Sequence, residues 1–198
     1  MTGRSTRDEI VDASDRLFYR RGYGETSFAD IADAVGISRG NFYHHFKSKD
    51  AILQAVIEVR LAETKRMLEA WERESGDPAD RIRCFIRILI VNRADIGRYG
   101  CPVGTLSTEL VKMNHASRGE AVALFSLFRA WLGRQFAALG RKRDADALAM
   151  HLLAMSQGVA TLATAFGDEA FIRREVRRMC DWLDSCVAGS AIERNEGE

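Results

Sequence analysis

The sequence predicts an all-α protein, and three observations carry that expectation. Apolar residues recur with a 3.6-residue period along nearly the whole chain, which puts them on one face of a helix. Alternating apolar and polar runs bounded by turn dipeptides, the mark of strands, are missing. Only two prolines interrupt the 198 residues, Pro78 and Pro102, and both stand where a helix should begin. About nine helices are expected: three in an amino-terminal domain over residues 1–50, the others in a larger domain over 51–192, with a frayed tail at 193–198.

The first helix should run from Thr6 to Arg21, with Ile10, Ala13, Ser14, Leu17 and Phe18 on its inner stripe. Asp8 and Glu9 near its start and Arg20 and Arg21 in its last turn suit the helix dipole, and Gly22 stops it. Ser27 begins a second helix, with Asp30 at capping-box spacing and Phe28, Ile31, Ala32 and Val35 facing inward. Gly36 ends it, and Ser38 caps a third helix, flanked by Ile37 and Phe42 at the positions of a hydrophobic staple. Two short helices joined by a glycine-containing turn make a helix-turn-helix, the third helix being the reading element.

Total charge says little about the partner: 29 Lys and Arg against 28 Asp and Glu leave a net +1. Locally the charge is segregated. From Gly36 to Lys49 the chain carries Arg39, Lys47, Lys49 and two histidines, and no acid. Arg39, Gly40 and Asn41 fall in the first turn of the reading helix, the part that meets base edges. Arginine pairs with guanine O6 and N7, asparagine with adenine N6 and N7, and Gly40 lets the backbones approach. Tyr43, His44 and Lys49 can donate to phosphates, as can amides at the Ser27 and Ser48 helix starts, while Phe42 and Phe46 anchor the helix.

Residues Ile10, Ala13, Leu17-Phe18, Gly22-Tyr23, Thr26-Ser27, Asp30-Ile31-Ala32, Gly36-Ile37-Ser38, Gly40, Tyr43, His45-Phe46, Ser48-Lys49-Asp50 and Leu53 together form a pattern. It resembles the DNA-binding domain of TetR-type (tetracycline-repressor-like) transcriptional regulators. The resemblance implies a homodimer on a palindromic double-stranded DNA operator, most often a repressor, released by a small-molecule inducer held in the second domain. It puts Arg39, Gly40 and Asn41, behind the Ser38 cap, on bases, and Tyr43, His44, His45 and Lys49 on phosphates. Val35 departs from the alanine usual before the turn glycine, away from the DNA surface.

A fourth helix should run from the Ser48 cap to about Glu74, with Ile52, Leu53, Val56 and Val59/Arg60 inward; the resemblance makes it the link between domains. Gly76-Asp77-Pro78 breaks it, and a fifth helix buries Ile82, Phe85, Ile86 and Leu89. Arg98–Gly104 is expected as a loop, Thr105–Lys112 as a short helix, and Ser117 with Glu120 as the capping box of a helix reaching Leu139. Two more helices span Asp144–Phe166 and Glu169–Val187. The first of these is apolar or small on both sides, Leu148, Leu152, Met155, Val159 and Phe166 against Ala147, Ala154, Gly158 and Thr161, as suits a helix between a core and a partner.

Gly158, Thr161, Met179, Trp182 and Leu183 are the dimer candidates that the resemblance implies. Gly158 fits either a close helix approach or a kink facing a cavity. Cys101, Phe125, Phe128, Trp131, Met155 and Phe166 are the ligand candidates, with a solid aromatic core as the alternative. Cys101, beside Arg98 and between Gly100 and Pro102, reads either as a reactive thiolate or as packing. Its segment resembles that of a branch of these regulators responding to electrophiles.

No cofactor or metal is expected: His44 and His45 sit about 100° apart around a helix and cannot share one ion. The scattered cysteines, the longest aliphatic run (Ile88 to Val91) and an amino terminus with no apolar stretch ahead of its first acids fit a cytoplasmic protein without a membrane partner. The run from Arg173 to Arg178 reads as a solvated helix face. A constitutive DNA-binding protein without effector is the alternative, and a helical enzyme a more distant one, since no nucleophile–base pair or phosphate loop is evident.

Overall fold

The computed structural model describes residues 5–195, and the side chains among them except those of Arg39 and residues 189–195. It is all-α, with ten helices and no strand among the described residues. They are α1 (Thr6–Arg21), α2 (Phe28–Val35), α3 (Arg39–His45), α4 (Lys49–Glu74), α5 (Pro78–Val91), α6 (Arg93–Tyr99), α7 (Pro102–Lys112), α8 (Arg118–Ala138), α9 (Ala145–Phe166) and α10 (Glu169–Asn195).

The count exceeds nine because the fifth helix stops at Val91. Asn92 leaves helical geometry (φ −99°, ψ 14°), and its amide donates to the Ile88 carbonyl while Arg93 donates to that of Ile90. Those bonds satisfy the carbonyls that end α5 and let α6 restart at once. The expected loop at Arg98–Gly104 shrinks to Gly100 and Cys101, since Pro102 opens α7. The expected capping box at Ser117 does not hold the Ser117 amide, which donates to His115 Nδ1 instead. At the far end α10 continues to Asn195, and residues 196–198 of the expected tail lie outside the described residues.

The chain forms two compact units, Met1–Thr64 with Pro102–Leu124, and Lys65–Cys101 with Phe125–Glu198. In the first unit α2 packs on α1 and α3 on α2, around Ile10, Phe18, Ile31, Phe42, Ile52 and Leu53. Leu106 and Leu110 of α7 and Ala121 of α8 belong to the same core. On α4, Val59 faces outward while Arg60 turns in, pairing with Asp15 of α1 (2.5 Å) and donating to the Pro102 carbonyl (2.8 Å).

In the second unit α10 packs on α5 and α9, and α6 on α9. Ile82, Ile86, Leu132, Phe136, Ala149, Leu152, Ile172 and Leu183 form its core. Arg81 closes the end of α4 by donating to the carbonyls of Glu72 and Ser75 and to Gln135, which in turn donates to the Glu72 carboxylate. Burial pushes the thiols of Cys84, Cys180 and Cys186 up, as suits packing residues. By length and composition α9 could cross a bilayer. Its inner side, from Ala149 through Leu152 to Ala163, is core, as in a helix that packs inside a helical bundle.

A polar cluster pins the turn between α1 and α2. Tyr23, only 3% exposed, donates its hydroxyl to Asp50 (2.5 Å), stacks edge-on to His115 and lies under the Lys49 ammonium, 4.3 Å from its ring centre. Burial, then the bond to Asp50, raises the Tyr23 phenol above its usual range; the same bond holds the Asp50 carboxyl below its own. The folded protein keeps this phenol neutral where the unfolded chain would ionise it. Its contribution is therefore whole below the free phenol value and is lost as pH climbs past about 10. Urea denaturation of wild type and Tyr23→Phe should show this as a steeper alkaline loss of stability in the wild type. At neutral pH the variant should lose about 1.5–3 kcal/mol, the worth of a hydrogen bond to a charged group. Parallel alkaline slopes would refute the assignment.

Candidate nucleic-acid interface

The reading surface is built by capping. The Ser27 hydroxyl accepts from the Asp30 amide and the Asp30 carboxylate accepts from the Ser27 amide, a closed capping box that starts α2. The Ser27 hydroxyl also donates to the Asp30 carboxylate, and that bond first, then the one from the Ser27 amide, holds the Asp30 carboxyl below its usual range. Gly36 ends α2 in the left-handed conformation (φ 75°, ψ 30°), and Ser38 accepts from the Asn41 amide to start α3. Phe42, 1% exposed, inserts into the core edge-on to Phe28 (5.2 Å), with Ile37 packed on the same cluster. This plug fixes the rotation of α3.

With Phe42 inward, Gly40, Asn41, Tyr43 and His44 face outward and His45 is half-buried. Tyr43 is 46% exposed, its ring braced on Phe28 at 5.5 Å. The backbone of Arg39 forms the first residue of α3; its side chain lies outside those described. A Cβ at Gly40 would meet nothing within 4 Å, so nothing within the fold requires glycine there. No acid interrupts the surface from Gly36 to Lys49.

Two expected phosphate contacts are otherwise employed. Lys49 points back into the unit, donating to the carbonyls of Tyr23 (2.9 Å) and Thr26 (3.1 Å). Those carbonyls, left without helical partners at the α1–α2 turn, draw the ammonium inward. The Ser27 amide is committed to Asp30, whose charge would also repel a phosphate. Lys47, in the acid-free segment but not singled out, is exposed and donates to the Tyr43 carbonyl (2.6 Å). Its place after α3 was the available signal.

The structure brings some ligand candidates together and separates others. Cys101, Phe125, Phe128 and Met155 are half-buried against the core of the second unit, with Phe128 edge-on to Phe85 (5.4 Å). The Cys101 sulfur accepts from Gln157 at 3.5 Å. Trp131 is fully buried beside Trp71, and its indole N–H has no hydrogen-bond partner. Phe166 does not join them. It is 80% exposed at the end of α9, where the helix has run past the core.

The dimer candidates divide similarly. Gly158 and Thr161 are exposed on α9, in a face shared with Met150, Ala154 and Leu162. Gly158 has open space around it, which removes the kink-toward-a-cavity alternative. Met179 and Leu183 are 2% and 0% exposed, so they are core residues and cannot reach a partner. The inner stripe of α10 is Ile172, Val176, Met179 and Leu183, because its other side carries Arg173, Arg174, Arg177 and Arg178. Trp182 is half-buried between Phe136 and His151.

Comparison with known proteins agrees with this geometry. Residues 10–56 match the model of bacterial regulatory proteins of the tetR family, and residues 78–178 that of the LmrA/YxaF-like transcriptional regulator C-terminal domain. The chain is 40% identical over 85 residues to the HTH-type transcriptional regulator TtgR of Pseudomonas putida, a match covering 43% of this chain and 40% of that one. It is 27% identical over 188 residues to the HTH-type transcriptional repressor DhaR of Mycobacterium sp., covering 90% of this chain and 86% of DhaR. A TetR transcriptional regulator from Legionella pneumophila shares the fold, with a TM-score of 0.80 at 24% identity over 90% of this chain and 97% of that one. The chain belongs to the TetR family of transcriptional regulators.

Proposed function

We propose that the protein is a cytoplasmic, ligand-responsive repressor that reads a palindromic double-stranded operator as a homodimer. The observation that carries this reading is α3, an acid-free helix held by a buried Phe42 with Gly40, Asn41, Tyr43 and His44 outward. Arg39 and Asn41 take base edges, Gly40 admits close approach, and Tyr43, His44, His45 and Lys47 take phosphates. A glycine inside a helix costs about 1 kcal/mol against alanine. Since the protein itself has room for a side chain at 40, the demand for none lies with the partner.

A second copy covers the exposed face of α9, where Met150, Leu162 and Phe166 are 44%, 45% and 80% exposed around the open Gly158. The effector is a small apolar molecule packing on Phe125, Phe128, Met155 and Cys101. DhaR, aligned with most of this chain, is a repressor by name, which supports repression over activation. The protein acts by binding and not by catalysis.

Selection of duplexes from a random-sequence pool should yield an inverted repeat; a single unrepeated motif would sink the dimeric operator reading. Against the selected duplex, Asn41→Ala should lose about 1–3 kcal/mol of binding and relax one base-pair preference. Gly40→Ala should move two measurements in opposite directions, raising thermal stability by about 0.5–1 kcal/mol while weakening duplex binding. Leu162→Lys should convert the dimer to a folded monomer in sedimentation equilibrium; an unchanged dimer would place the interface elsewhere.

A further inference from the structure

Glu109 of α7 reaches back to the turn between α1 and α2. Its carboxylate accepts from the backbone amides of Tyr23 (2.9 Å) and Gly24 (2.8 Å), one on each oxygen. The turn is shaped for it. Gly22 has φ +96°, and a Cβ there would stand 3.0 Å from the carboxylate; one at Gly24 would stand 3.3 Å away. The sequence Gly-Tyr-Gly thus forms a concave pair of amides that receives an anion, and the anion comes from the chain itself.

The surroundings make these two amide bonds the reason that the acid stays there. The end of α1 presents carbonyls, whose partial negative charge repels a carboxylate unless amides bind it directly. The Lys49 ammonium binds the Tyr23 and Thr26 carbonyls of the same turn, so amides and carbonyls are gripped by opposite charges. Asp50 and His115 complete the group through the Tyr23 hydroxyl and ring. Leu106 and Leu110, one turn before Glu109 and directly after it, are buried in the core and set the position of α7. At the opposite end of α7, Arg60 holds the Pro102 carbonyl while pairing with Asp15 of α1.

The covalent connections of α7 give this grip a use. One peptide bond before Pro102 lies Cys101, which belongs to the second unit, and α8 continues from the first unit into the second. The turn that Glu109 holds leads within three residues to Ser27, the cap of α2. We propose that Glu109 is a positioning residue for DNA binding, a latch through which α7 sets the α1–α2 turn and so the orientation of α2 and α3. This rests on the DNA-reading function above. A displacement of α7 acts on the reading helices by loosening two amide bonds, without touching DNA.

The test uses the full-length protein and the duplex that the wild type selects from a random-sequence pool. Amide hydrogen exchange is followed with and without duplex, at concentrations that saturate each variant. In the wild type, duplex should slow exchange in residues 22–28 and also in α7. Glu109→Ala should bind duplex about tenfold more weakly, within the range of site-to-site coupling, with an unchanged salt slope because no phosphate contact is lost. At saturation it should still be protected in α2 and α3 but no longer in α7. Glu109→Gln keeps an acceptor oxygen and should fall between, and Thr108→Ala, an exposed neighbour, should behave as wild type.

Protection of α7 by duplex in Glu109→Ala, or unchanged affinity, overturns the proposal. Should the alanine variant fold poorly, intact α7 protection in Glu109→Gln at wild-type affinity overturns it equally. A wild type that selects no duplex defeats the operator reading instead. Exchange at Tyr23 and Gly24, faster in Glu109→Ala than in Thr108→Ala or not, then still decides whether the latch holds the turn.

Discussion

Two reading helices of eight and seven residues cannot persist alone. A helix in water needs about 12–15 residues before propagation repays its nucleus. Everything on the DNA-facing side therefore depends on the surface these helices lean against, and on the caps that satisfy their ends. The Ser27–Asp30 box and the Ser38 cap supply the bonds that missing turns would have supplied. Phe42 supplies the packing, and its position fixes which of its neighbours face outward. Specificity of this kind is a matter of rotation about a single axis, set by one buried ring.

The treatment of charge follows the same economy. Lys49 lies within the acid-free segment, yet its ammonium is engaged by backbone carbonyls of the α1–α2 turn. Buried or half-buried carbonyls without helical partners cost more than a solvated lysine gains, so the cation goes to them. The reading surface is consequently less basic than its sequence suggests.

How much of this was legible depends on the distance between partners in the chain. The capping box, the glycine stop at Gly36, the staple pair and the acid-free helix all follow from residues three or four apart, and the sequence exposes them directly. The Arg98–Gly104 break is shorter in the structure than the sequence implies, because Pro102 marks a helix start as readily as an interruption. The Asn92 break leaves no mark in the sequence because the apolar period continues through it; the helix ends in the backbone turn at Asn92 and the bonds that Asn92 and Arg93 make to the last carbonyls. Met179 and Leu183 line the core side of α10 and not a partner-facing one, since periodicity reveals a stripe but not what lies opposite. Glu109 meets Tyr23 across 86 residues, and no local pattern distinguishes it from any exposed helix acid.

The first unit is assembled from two separate stretches of chain, with Leu106, Leu110 and Ala121 completing a core begun by residues before Thr64. This makes the reading head inseparable from a segment that lies, in chain order, beyond part of the second unit. Recombination that exchanged only the amino-terminal stretch between two such regulators would leave a buried leucine pair and a carboxylate facing foreign surfaces. Modularity here runs along the core and not along the gene, so an operator preference can be transplanted intact only if residues 102–124 travel with it.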